Sequence, residues 1–328
     1  MIVITGGAGF IGSNLVAALA ARGSAEVVVC DWLGQGEKWH NLAKHAIAEL
    51  VAPEDLFAFL AANQNQIDAI FHLGAVTSTT ETDADLVVRT NFTLSLALWR
   101  WCCKHGVRLI YASSAATYGD GSHGFDDDNS LEALAKLHPL NVYGWSKHAF
   151  DRRIAQVVNG GGPHPPQWAG LKFFNVYGPN EYHKGAMKSV AVQICADVAA
   201  GSPATLFRSH RPEYPDGGQL RDFVWVGDCV DVMLWLYENR GVNVLVNLGT
   251  GKARSFADLA NAVFHALGKK PDIRFVDTPA EIRDKYQYFT EAKMERLRAA
   301  GYKAPFLSLE DGVDIYVRKF LSAPDPYR

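Results

Sequence analysis

Tyr143 and Lys147 stand four residues apart in the segment Tyr-Gly-Trp-Ser-Lys. In a helix, residues at this spacing share one face, so the ammonium of Lys147 is predicted to lower the pKa of the Tyr143 phenol and to reach the ribose of a nicotinamide cofactor. A phenol whose pKa is lowered from about 10 is a suitable base for a secondary alcohol whose carbon-bound hydrogen leaves as hydride. The pair therefore predicts hydride transfer at a secondary alcohol.

Hydroxyl side chains precede this pair in residues 111–119, which read Tyr-Ala-Ser-Ser-Ala-Ala-Thr-Tyr-Gly. The first of these residues complete a predicted strand, and open α/β sheets bind their ligands at the carboxyl ends of strands. We expect Ser114 to hydrogen-bond the same alcohol oxygen as Tyr143. Because Tyr-x-x-x-Lys alone is common by chance, the prediction depends on its combination with Ser114 and with a dinucleotide-binding loop.

A glycine-rich loop directly follows the first predicted strand and precedes a predicted helix. Gly7, Gly9 and Gly12 satisfy Gly-x-Gly-x-x-Gly, and the pattern Gly-x-x-Gly-x-x-Gly is satisfied when the count starts at Gly6. Without Cβ atoms the backbone can approach a pyrophosphate, and the N–H groups and dipole of the helix N-terminus favour its negative charge. The loop therefore predicts a dinucleotide-binding site.

The end of the second predicted strand carries Asp31, where an acid would bind the 2′-hydroxyl of the adenosine ribose. An acid at this place ordinarily favours NAD, because it repels the 2′-phosphate of NADP. Lys38, seven residues further on, could offset that repulsion. These two residues alone leave the choice between NAD and NADP open.

The elements that must position these groups alternate along the first half of the chain. Short β-rich runs at residues 2–5, 26–31, 69–73 and 108–112 are separated by amphipathic stretches such as 14–22 and 85–105. This alternation predicts an α/β fold with a doubly wound parallel Rossmann sheet and a smaller, interleaved C-terminal substrate lobe. We assign residues 1–174 and 221–248 to the dinucleotide-binding domain, and residues 175–220 and 249–328 to the lobe. Residues 160–167 and 208–218 are rich in Gly and Pro and are predicted loops.

The composition argues against several classes of protein. The chain has 328 residues, 48% hydrophobic residues and a net charge of -3, without the polybasic run that nucleic acids require. It shows no signal peptide or membrane span, and its five cysteines form no C-x-x-C pair, so we expect a cytoplasmic protein without disulfides. The eleven histidines lack the spacing of metal ligands, so no metal site is predicted.

Eight motifs together resemble the extended short-chain dehydrogenase/reductases, and along nearly the whole chain they are similar to the ADP-L-glycero-D-manno-heptose 6-epimerase family. The most discriminating of them is His-Lys-Gly at 183–185, which follows Asn-Val-Tyr-Gly-Pro at 175–179. The full set occupies residues 4–14, 111–119, 139–147, 173–179, 183–185, 221–224, 247–251 and 298–302.

The resemblance implies a specific reaction. Enzymes of this family oxidise C6 of the heptose in ADP-D-glycero-D-manno-heptose to a ketone and return the hydride to its other face, which yields a precursor of the lipopolysaccharide inner core. Such a reaction needs one acid/base on each face, and the family pattern places Tyr143 on one and Lys184 on the other. It also implies bound NADP, with NAD as the alternative, a nucleotide-sugar substrate and a homo-oligomer, either a pentamer or a decamer.

The family pattern supplies the remaining site residues. The catalytic set is Tyr143, Lys184, Ser114 and Lys147. The cofactor set is Gly6, Gly9, Phe10, Ile11, Gly12, Asp31, Trp32, Lys38, Leu73, Gly74, Ala75, Val76, Thr77, Tyr143, Lys147, Val176 and Lys184. The substrate set is Ser114, Asn175, Ala186, Gln193, Phe207, Arg208, Ser209, His210, Arg221 and Tyr286. Arg221 has the clearest rationale, because a guanidinium can bind a diphosphate through two parallel hydrogen bonds.

Four positions depart from the family pattern. Trp32 replaces an asparagine, and Pro53 stands where a lysine often assists the 2′-phosphate, so the case for NADP depends on Lys38. Ala186 and Gln193 replace a serine and a histidine that usually meet the substrate. These two changes leave room for a related sugar.

Several alternative interpretations stay open at this point. A 4-epimerase of the same superfamily would not need a second base such as Lys184, whereas a 4,6-dehydratase is disfavoured because Ala115 and Ala116 supply no acid. A dinucleotide-sensing protein without catalysis is the alternative from another class. Among single residues, Lys184 could bind the substrate diphosphate, Arg221 could pair with its neighbouring aspartate, and Tyr286 could be a core aromatic residue.

Overall fold

Twelve strands are present in the part of the chain that the computed structural model describes, which comprises residues 1–23, 26–279, 283 and 287–328. In chain order they are β1 (Ile2–Thr5), β2 (Val27–Cys30), β3 (Glu49–Val51), β4 (Ala69–His72), β5 (Arg108–Ser114), β6 (Trp168–Phe173), β7 (Asn175–Tyr177), β8 (Ala204–Phe207), β9 (Leu220–Trp225), β10 (Val244–Leu248), β11 (Ala253–Ser255) and β12 (Ile273–Val276).

Seven of these strands form one parallel sheet in the order β10-β6-β5-β4-β1-β2-β3. The strand order reverses between β1 and β4, which leaves a crevice at their carboxyl ends. Strand β1 has consecutive buried apolar side chains because helices cover both faces of the sheet. The predicted α/β fold with a doubly wound parallel sheet is confirmed.

Eleven α-helices surround the sheets within the described residues. They are α1 (Phe10–Arg22), α2 (Leu56–Ala62), α3 (Ala84–Val87), α4 (Leu94–His105), α5 (Leu131–Ala135), α6 (Val142–Asn159), α7 (Val190–Ala199), α8 (Val226–Glu238), α9 (Phe256–Ala266), α10 (Glu295–Ala299) and α11 (Leu309–Tyr316). Shorter 3₁₀ helices occupy Glu37–Asn41, Pro53–Asp55, Ala115–Tyr118 and Tyr182–Met187, and π-helical turns occupy Val88–Thr93 and Val317–Leu321. No helix among the described residues has the length and apolarity that a membrane span requires.

Two layers of helices sandwich the main sheet. On one face α1 and α8 contribute Leu15 and Met233 to the largest hydrophobic cluster. On the other face α2, α4 and α6 contribute Leu60, Trp99 and Phe150. Burying each of these side chains stabilises the fold by about 1.5 to 3 kcal/mol before conformational entropy is counted.

The smaller lobe is interleaved with the main sheet. Strands β7, β9 and β11 form a three-stranded sheet, and β8 pairs in parallel with β12. Helices α7, α9 and α11 cover this lobe with a separate apolar cluster. Of the predicted inserted segment 221–248, α8 and β10 join the main layer, whereas β9 pairs within the small sheet. The domain boundaries themselves stay a prediction.

Asp222, on β9, holds the small sheet to the segments beside it. Its fully buried carboxylate accepts hydrogen bonds from the backbone N–H groups of Thr250, Gly251 and Ala292 at 2.7 to 3.0 Å, and from the Thr250 hydroxyl at 2.7 Å. Burial raises the pKa of Asp222, and these hydrogen bonds oppose that rise. One side chain therefore connects three parts of the chain.

We predict that Asp222→Asn destabilises the protein by about 2 kcal/mol or more. An amide has one acceptor oxygen, so its NH₂ group would face N–H donors that the carboxylate now satisfies. Chemical denaturation measures the change in the free energy of unfolding. Asp272→Asn, at an exposed position, is the matched control. Equal stability of the two variants would contradict the role given to Asp222.

Candidate active site

A cavity of about 480 Å³ opens at the carboxyl ends of β1, β4 and β5, where the main sheet meets the smaller lobe. Its walls come from the glycine loop, the ends of three strands, the start of α6 and the 183–187 segment. The residues that line it are Gly6, Gly9, Phe10, Ile11, Gly12, Asp31, Lys38, Leu73, Gly74, Ala75, Thr77, Thr79, Ala112, Ser114, Ala115, Ala116, Tyr143, Phe173, Phe174, Asn175, Val176, His183, Lys184, Met187, Gln287 and Thr290.

The glycine loop has no room for side chains. A Cβ atom on Gly12 would lie 2.2 Å from the Gly6 carbonyl oxygen, and one on Gly6 would lie 2.6 Å from the Cα of Gly74. Gly6 also has a φ of +69°, which favours glycine. The loop passes directly into α1 at Phe10, so the first N–H groups of that helix are available for an anion. This cradle fits the pyrophosphate of a dinucleotide.

The adenosine end of the cavity is defined by an ion pair. Lys38 Nζ lies 2.6 Å from Asp31 Oδ1 and donates a second hydrogen bond to the Trp32 carbonyl at 2.7 Å. The other oxygen of Asp31 accepts from the Ala8 N–H at 3.0 Å. Lys38 and Asp31 therefore form an ion pair, and the Ala8 N–H fixes Asp31 against the glycine loop.

Tyr143 lies in the first turn of α6, which is capped by Asn141 through a 2.8 Å hydrogen bond from the Gly144 N–H. Both Tyr143 and Ser114 line the cavity. Lys147 is buried one turn later, and its Nζ donates to the Ala112 carbonyl at 2.8 Å. The structure thus brings the three predicted groups to one strand end.

The expected effect of Lys147 on Tyr143 is not what the structure shows. Burial raises the pKa of the Tyr143 phenol, and a hydrogen bond from Ser114 opposes the rise. Burial also lowers the pKa of Lys147 to about 8, with Asp151 acting in the opposite direction. Desolvation therefore dominates the pKa of the phenol, and Lys147 is not among the groups that shift it. Ser114, rather than Lys147, favours the phenolate here.

Lys184 enters the cavity from the smaller lobe, in the 3₁₀ helix Tyr182–Met187. Its ammonium lies 5.2 Å from the centre of the Phe10 ring, a cation–π contact at the first residue of α1. Burial lowers the pKa of Lys184, and the nearby Glu181 opposes that shift. Lys184 and Tyr143 thus reach one cavity from different elements.

A buried hydrogen-bond chain, which the sequence did not reveal, starts behind the glycine loop. Ser95 donates its hydroxyl proton to the Asn91 carbonyl, so His72 Nε2 donates to Ser95 at 2.8 Å and His72 Nδ1 accepts from Thr5 at 2.7 Å. Burial lowers the pKa of His72 to about 3. Thr5 also accepts from the Gly74 N–H at 3.2 Å. A neutral histidine therefore links the ends of β1 and β4.

The same chain continues through Asn91 to α6, the helix that carries Tyr143. The Asn91 side chain accepts from the Val76 N–H at 2.8 Å and donates to the Val76 carbonyl at 2.9 Å and to Ser146 at 3.1 Å. Ser146 donates to the Tyr143 carbonyl at 2.7 Å. These bonds hold the backbone of Tyr143 in register with residues 73–77.

Most of the predicted cofactor residues line the cavity. The exceptions are Trp32, Val76 and Lys147. The indole N–H of Trp32 points to the Glu54 carboxylate, with both oxygens at 3.0 Å, and the side chain is 54% exposed. Val76 bonds Asn91, and Lys147 lies behind the cavity wall.

The predicted substrate residues are more dispersed. Ser114 and Asn175 line the cavity, and Tyr286 lies outside the described residues. The other predicted residues, which do not line it, are Ala186, Gln193, Phe207, Arg208, Ser209, His210 and Arg221. Arg221 donates to the Leu220 carbonyl at 2.8 Å and faces the Phe256 ring, and the carboxylate of its neighbour Asp222 is used elsewhere. The ligand roles of these residues stay predictions.

Several wall residues were missed from the sequence. Phe173 is the last residue of β6 and Phe174 follows it, so the carboxyl end of this strand was the signal that could have identified both. Gln287, Thr290 and Met187 carry no such signal, because they come from segments of the smaller lobe.

Comparison with known proteins places these features among nucleotide-sugar enzymes. The model of the NAD dependent epimerase/dehydratase family matches residues 2–249. The ADP-L-glycero-D-manno-heptose-6-epimerase of Nitratidesulfovibrio vulgaris (strain DP4) is 48% identical over 330 residues, which cover 100% of both chains. The solved Helicobacter pylori enzyme of the same name has a TM-score of 0.78 at 28% identity, with 98% of this chain and 96% of that chain covered. The UDP-glucose 4-epimerase of Thermus thermophilus, in complex with NAD, has a TM-score of 0.75 at 27% identity, with 98% and 99% covered.

We predict that Gly12→Ala weakens dinucleotide binding by about tenfold or more. The new methyl group would overlap the Gly6 carbonyl oxygen, so the loop must move away from the position that admits a pyrophosphate. Calorimetric titration measures the affinity. Gly241→Ala adds the same methyl group in open space and should bind as the wild type does. Unchanged affinity in Gly12→Ala would show that the loop does not form the cradle.

Proposed function

This chain belongs to the NAD-dependent epimerase/dehydratase family, and we propose that it converts ADP-D-glycero-D-manno-heptose to ADP-L-glycero-D-manno-heptose by epimerisation at C6. The similarity to epimerases of that name extends over the full chain. The observation that carries the proposal is the convergence of Tyr143 and Lys184 on one cavity from different elements. A reaction that inverts a carbon through a ketone needs such a pair.

When bound, the family's nicotinamide cofactor would supply a hydride acceptor for C6 and a hydride donor for the return step. The residues that would hold it are the glycine loop, Asp31 and Lys38, which line the cavity. The residues of the chain itself supply the proton transfers. Oxidation requires loss of the C6 hydroxyl proton, and reduction requires its return to the carbonyl oxygen. With one proton-transfer group on each face of C6, each group can exchange the hydroxyl proton of one C6 configuration.

Burial shifts the pKa values of Tyr143 and Lys184 in opposite directions. It raises the pKa of the Tyr143 phenol and lowers the pKa of the Lys184 ammonium, so both are shifted toward their neutral forms. A neutral amine can take a proton, and a neutral phenol can give one. In one direction Lys184 acts as the base and Tyr143 as the acid, and the roles reverse in the other direction. Ser114 supports the phenolate through its hydrogen bond.

The second candidate is epimerisation at C4 of a nucleotide sugar, which the likeness to the Thermus thermophilus 4-epimerase favours. That reaction needs no second base equivalent to Lys184. Here Lys184 is half-buried in the cavity wall and lies over Phe10, so it is a part of the site rather than a distant surface lysine. We therefore favour inversion at C6. Incubation with ADP-D-glycero-D-manno-heptose, followed by NMR of the C6 configuration, tests the assignment, and unchanged substrate would contradict it.

We predict that Lys184→Met lowers the rate of C6 inversion by about 100-fold or more, because one face loses its proton carrier. Methionine keeps the length of the side chain without a titratable group. The rate is measured by NMR with purified protein. Lys188→Met, four residues away in the same segment, is the matched control and should retain activity. Full activity of Lys184→Met would favour a one-base reaction such as C4 epimerisation.

For the cofactor we propose NADP. The Lys38 ammonium forms an ion pair with Asp31 and uses two of its three N–H donors for Asp31 and the Trp32 carbonyl. The third N–H donor is left for a 2′-phosphate. We expect NADP to be the dinucleotide released when the protein is denatured. We also expect Lys38→Met to weaken NADP binding by about tenfold or more and NAD binding much less. Release of NAD, or equal losses for both dinucleotides, would contradict the proposal.

We propose in addition that the enzyme is a homo-oligomer, a pentamer or a decamer, as the family resemblance implies. Sedimentation equilibrium determines the number of subunits, and a monomer over a wide concentration range would contradict this.

A further inference from the structure

Three buried asparagines connect the glycine loop with the segment that carries Lys184. Asn14 lies on α1, and Asn41 ends the 3₁₀ helix Glu37–Asn41. Asn180 lies two residues before the 3₁₀ helix Tyr182–Met187, which carries Lys184 and is called the Lys184 segment here. Each is at most 1% exposed. We refer to these three residues as the asparagine bridge. The Nδ2 group of each asparagine donates to oxygen atoms inside the protein, which defines the orientation of each side chain, whereas Asn41 Oδ1 is buried without a hydrogen-bond partner among the described residues.

Asn41 is the centre of the asparagine bridge. Its Nδ2 donates to the Ala8 carbonyl in the glycine loop at 2.9 Å and to the Asn180 carbonyl at 3.1 Å, and it lies 3.2 Å from His183 Nδ1. Two carbonyl oxygens on the same side fix which end of the amide faces them. Asn41 thus contacts both the dinucleotide loop and the residue next to Lys184.

The other two asparagines add further bonds between the same segments. Asn14 Nδ2 donates to the carbonyls of Phe10 and Pro179, both at 2.9 Å. Asn180 donates from its side chain to Ser13 on α1 at 3.0 Å. Asn180 is also the one non-glycine residue with a positive φ, +72°, in the described part of the chain. A sparsely populated backbone conformation persists where surrounding contacts determine it, and here those contacts come from the asparagine bridge.

Arg328 donates hydrogen bonds to the two outer asparagines of the asparagine bridge. The Arg328 backbone N–H donates to Asn180 Oδ1 at 2.9 Å, and its guanidinium donates to Asn14 Oδ1 at 3.1 Å. Burial lowers the pKa of Arg328. Both side-chain oxygens of the outer asparagines are therefore satisfied by one residue.

The 3₁₀ helix that contains Asn41 also carries Lys38. The two residues are one turn apart, so one short and stiff element contacts the adenosine end of the cavity through Lys38 and the Lys184 segment through Asn41. This connection is independent of the hydrogen-bond chain that holds Tyr143.

We propose that Asn41 is a positioning residue of the reaction: it fixes Lys184, and not Tyr143, relative to the dinucleotide loop. The inference rests on the proposed function, since it gives Lys184 the proton transfer on one face. This role predicts unequal effects on the two halves of the reaction. Loss of Asn41 should impair the half of the reaction that depends on Lys184 and spare the half that depends on Tyr143.

The test uses Asn41→Leu, which keeps the approximate shape and removes the donors. Oxidation of each pure epimer is followed separately in single turnovers by the near-ultraviolet absorbance of the nicotinamide. Lys184→Met and Tyr143→Phe define which epimer depends on which residue. One epimer is oxidised more slowly by Lys184→Met, and Asn41→Leu should lower the oxidation rate of that same epimer by about tenfold or more. The oxidation rate of the other epimer should stay within about twofold of the wild-type rate.

Two controls separate positioning from a loss of stability. Asn129→Leu makes the same substitution at a half-buried asparagine whose Nδ2 donates to the Leu245 carbonyl at 2.6 Å. This variant should not lower the oxidation rate of one epimer more than that of the other. Asn180→Gly suits the positive φ, so it adds no backbone strain, yet it loses the bonds to Ser13 and Arg328. It should show the same selectivity as Asn41→Leu to a smaller extent. Dinucleotide affinity of both bridge variants, measured by titration, should stay near that of the wild type.

Equal slowing of both epimers by Asn41→Leu, or a loss of dinucleotide affinity large enough to explain the slowing, would overturn the positioning role. Wild-type protein that oxidises neither epimer would instead overturn the proposed function and, with it, the role of Lys184 that the asparagine bridge serves. Wild-type activity with no selectivity in the variants would leave the proposed function intact and reject the asparagine bridge alone.

Discussion

The close approach of the backbone to itself at the end of β1 is the constraint on which the rest of the site depends. Gly6, Gly12 and Gly74 are so near one another that a single methyl group would overlap a carbonyl oxygen or a Cα atom. Because no side chain fits, the first turn of α1 is exposed to the cavity, and the neighbouring strand end lies beside it. The polar groups behind the loop then have fixed partners, from Thr5 and His72 to the helix that carries Tyr143.

Separate hydrogen-bond networks position the two residues that we propose as proton carriers. Tyr143 is tied to the main sheet through Asn91 and Ser146, whereas the segment with Lys184 is tied to α1 and the Glu37–Asn41 helix by asparagines. Each of these hydrogen-bond networks ends on the glycine loop or on a strand next to it. The glycine loop is therefore the common structural reference for Tyr143 and Lys184, and neither residue has to be placed relative to the other directly.

Sequence reasoning succeeded where the signal is local. The glycine spacing, Asp31 after β2, and Tyr143 with Lys147 each depend on a few neighbouring residues, and the parallel sheet follows from alternating apolar runs. It failed where the outcome depends on desolvation or on distant segments. Four-residue spacing suggested that Lys147 lowers the pKa of Tyr143, but burial dominates both groups. The contributions of Thr290 and Gln287 to the cavity depend on tertiary folding that no short pattern encodes.

The interleaving of the two lobes has a consequence for how the chain folds during synthesis. Strand β10 completes one edge of the main sheet beside β6, yet it is made only after β7, β8 and β9 of the smaller lobe. A ribosome-bound chain that stops before residue 244 thus exposes the hydrogen-bonding edge of β6, a template for pairing with other chains. The two lobes must then acquire their cores in overlapping steps, and such non-local pairing slows folding. A cut between the lobes would separate β10 from its partner, so this protein should resist division into two independently folding halves.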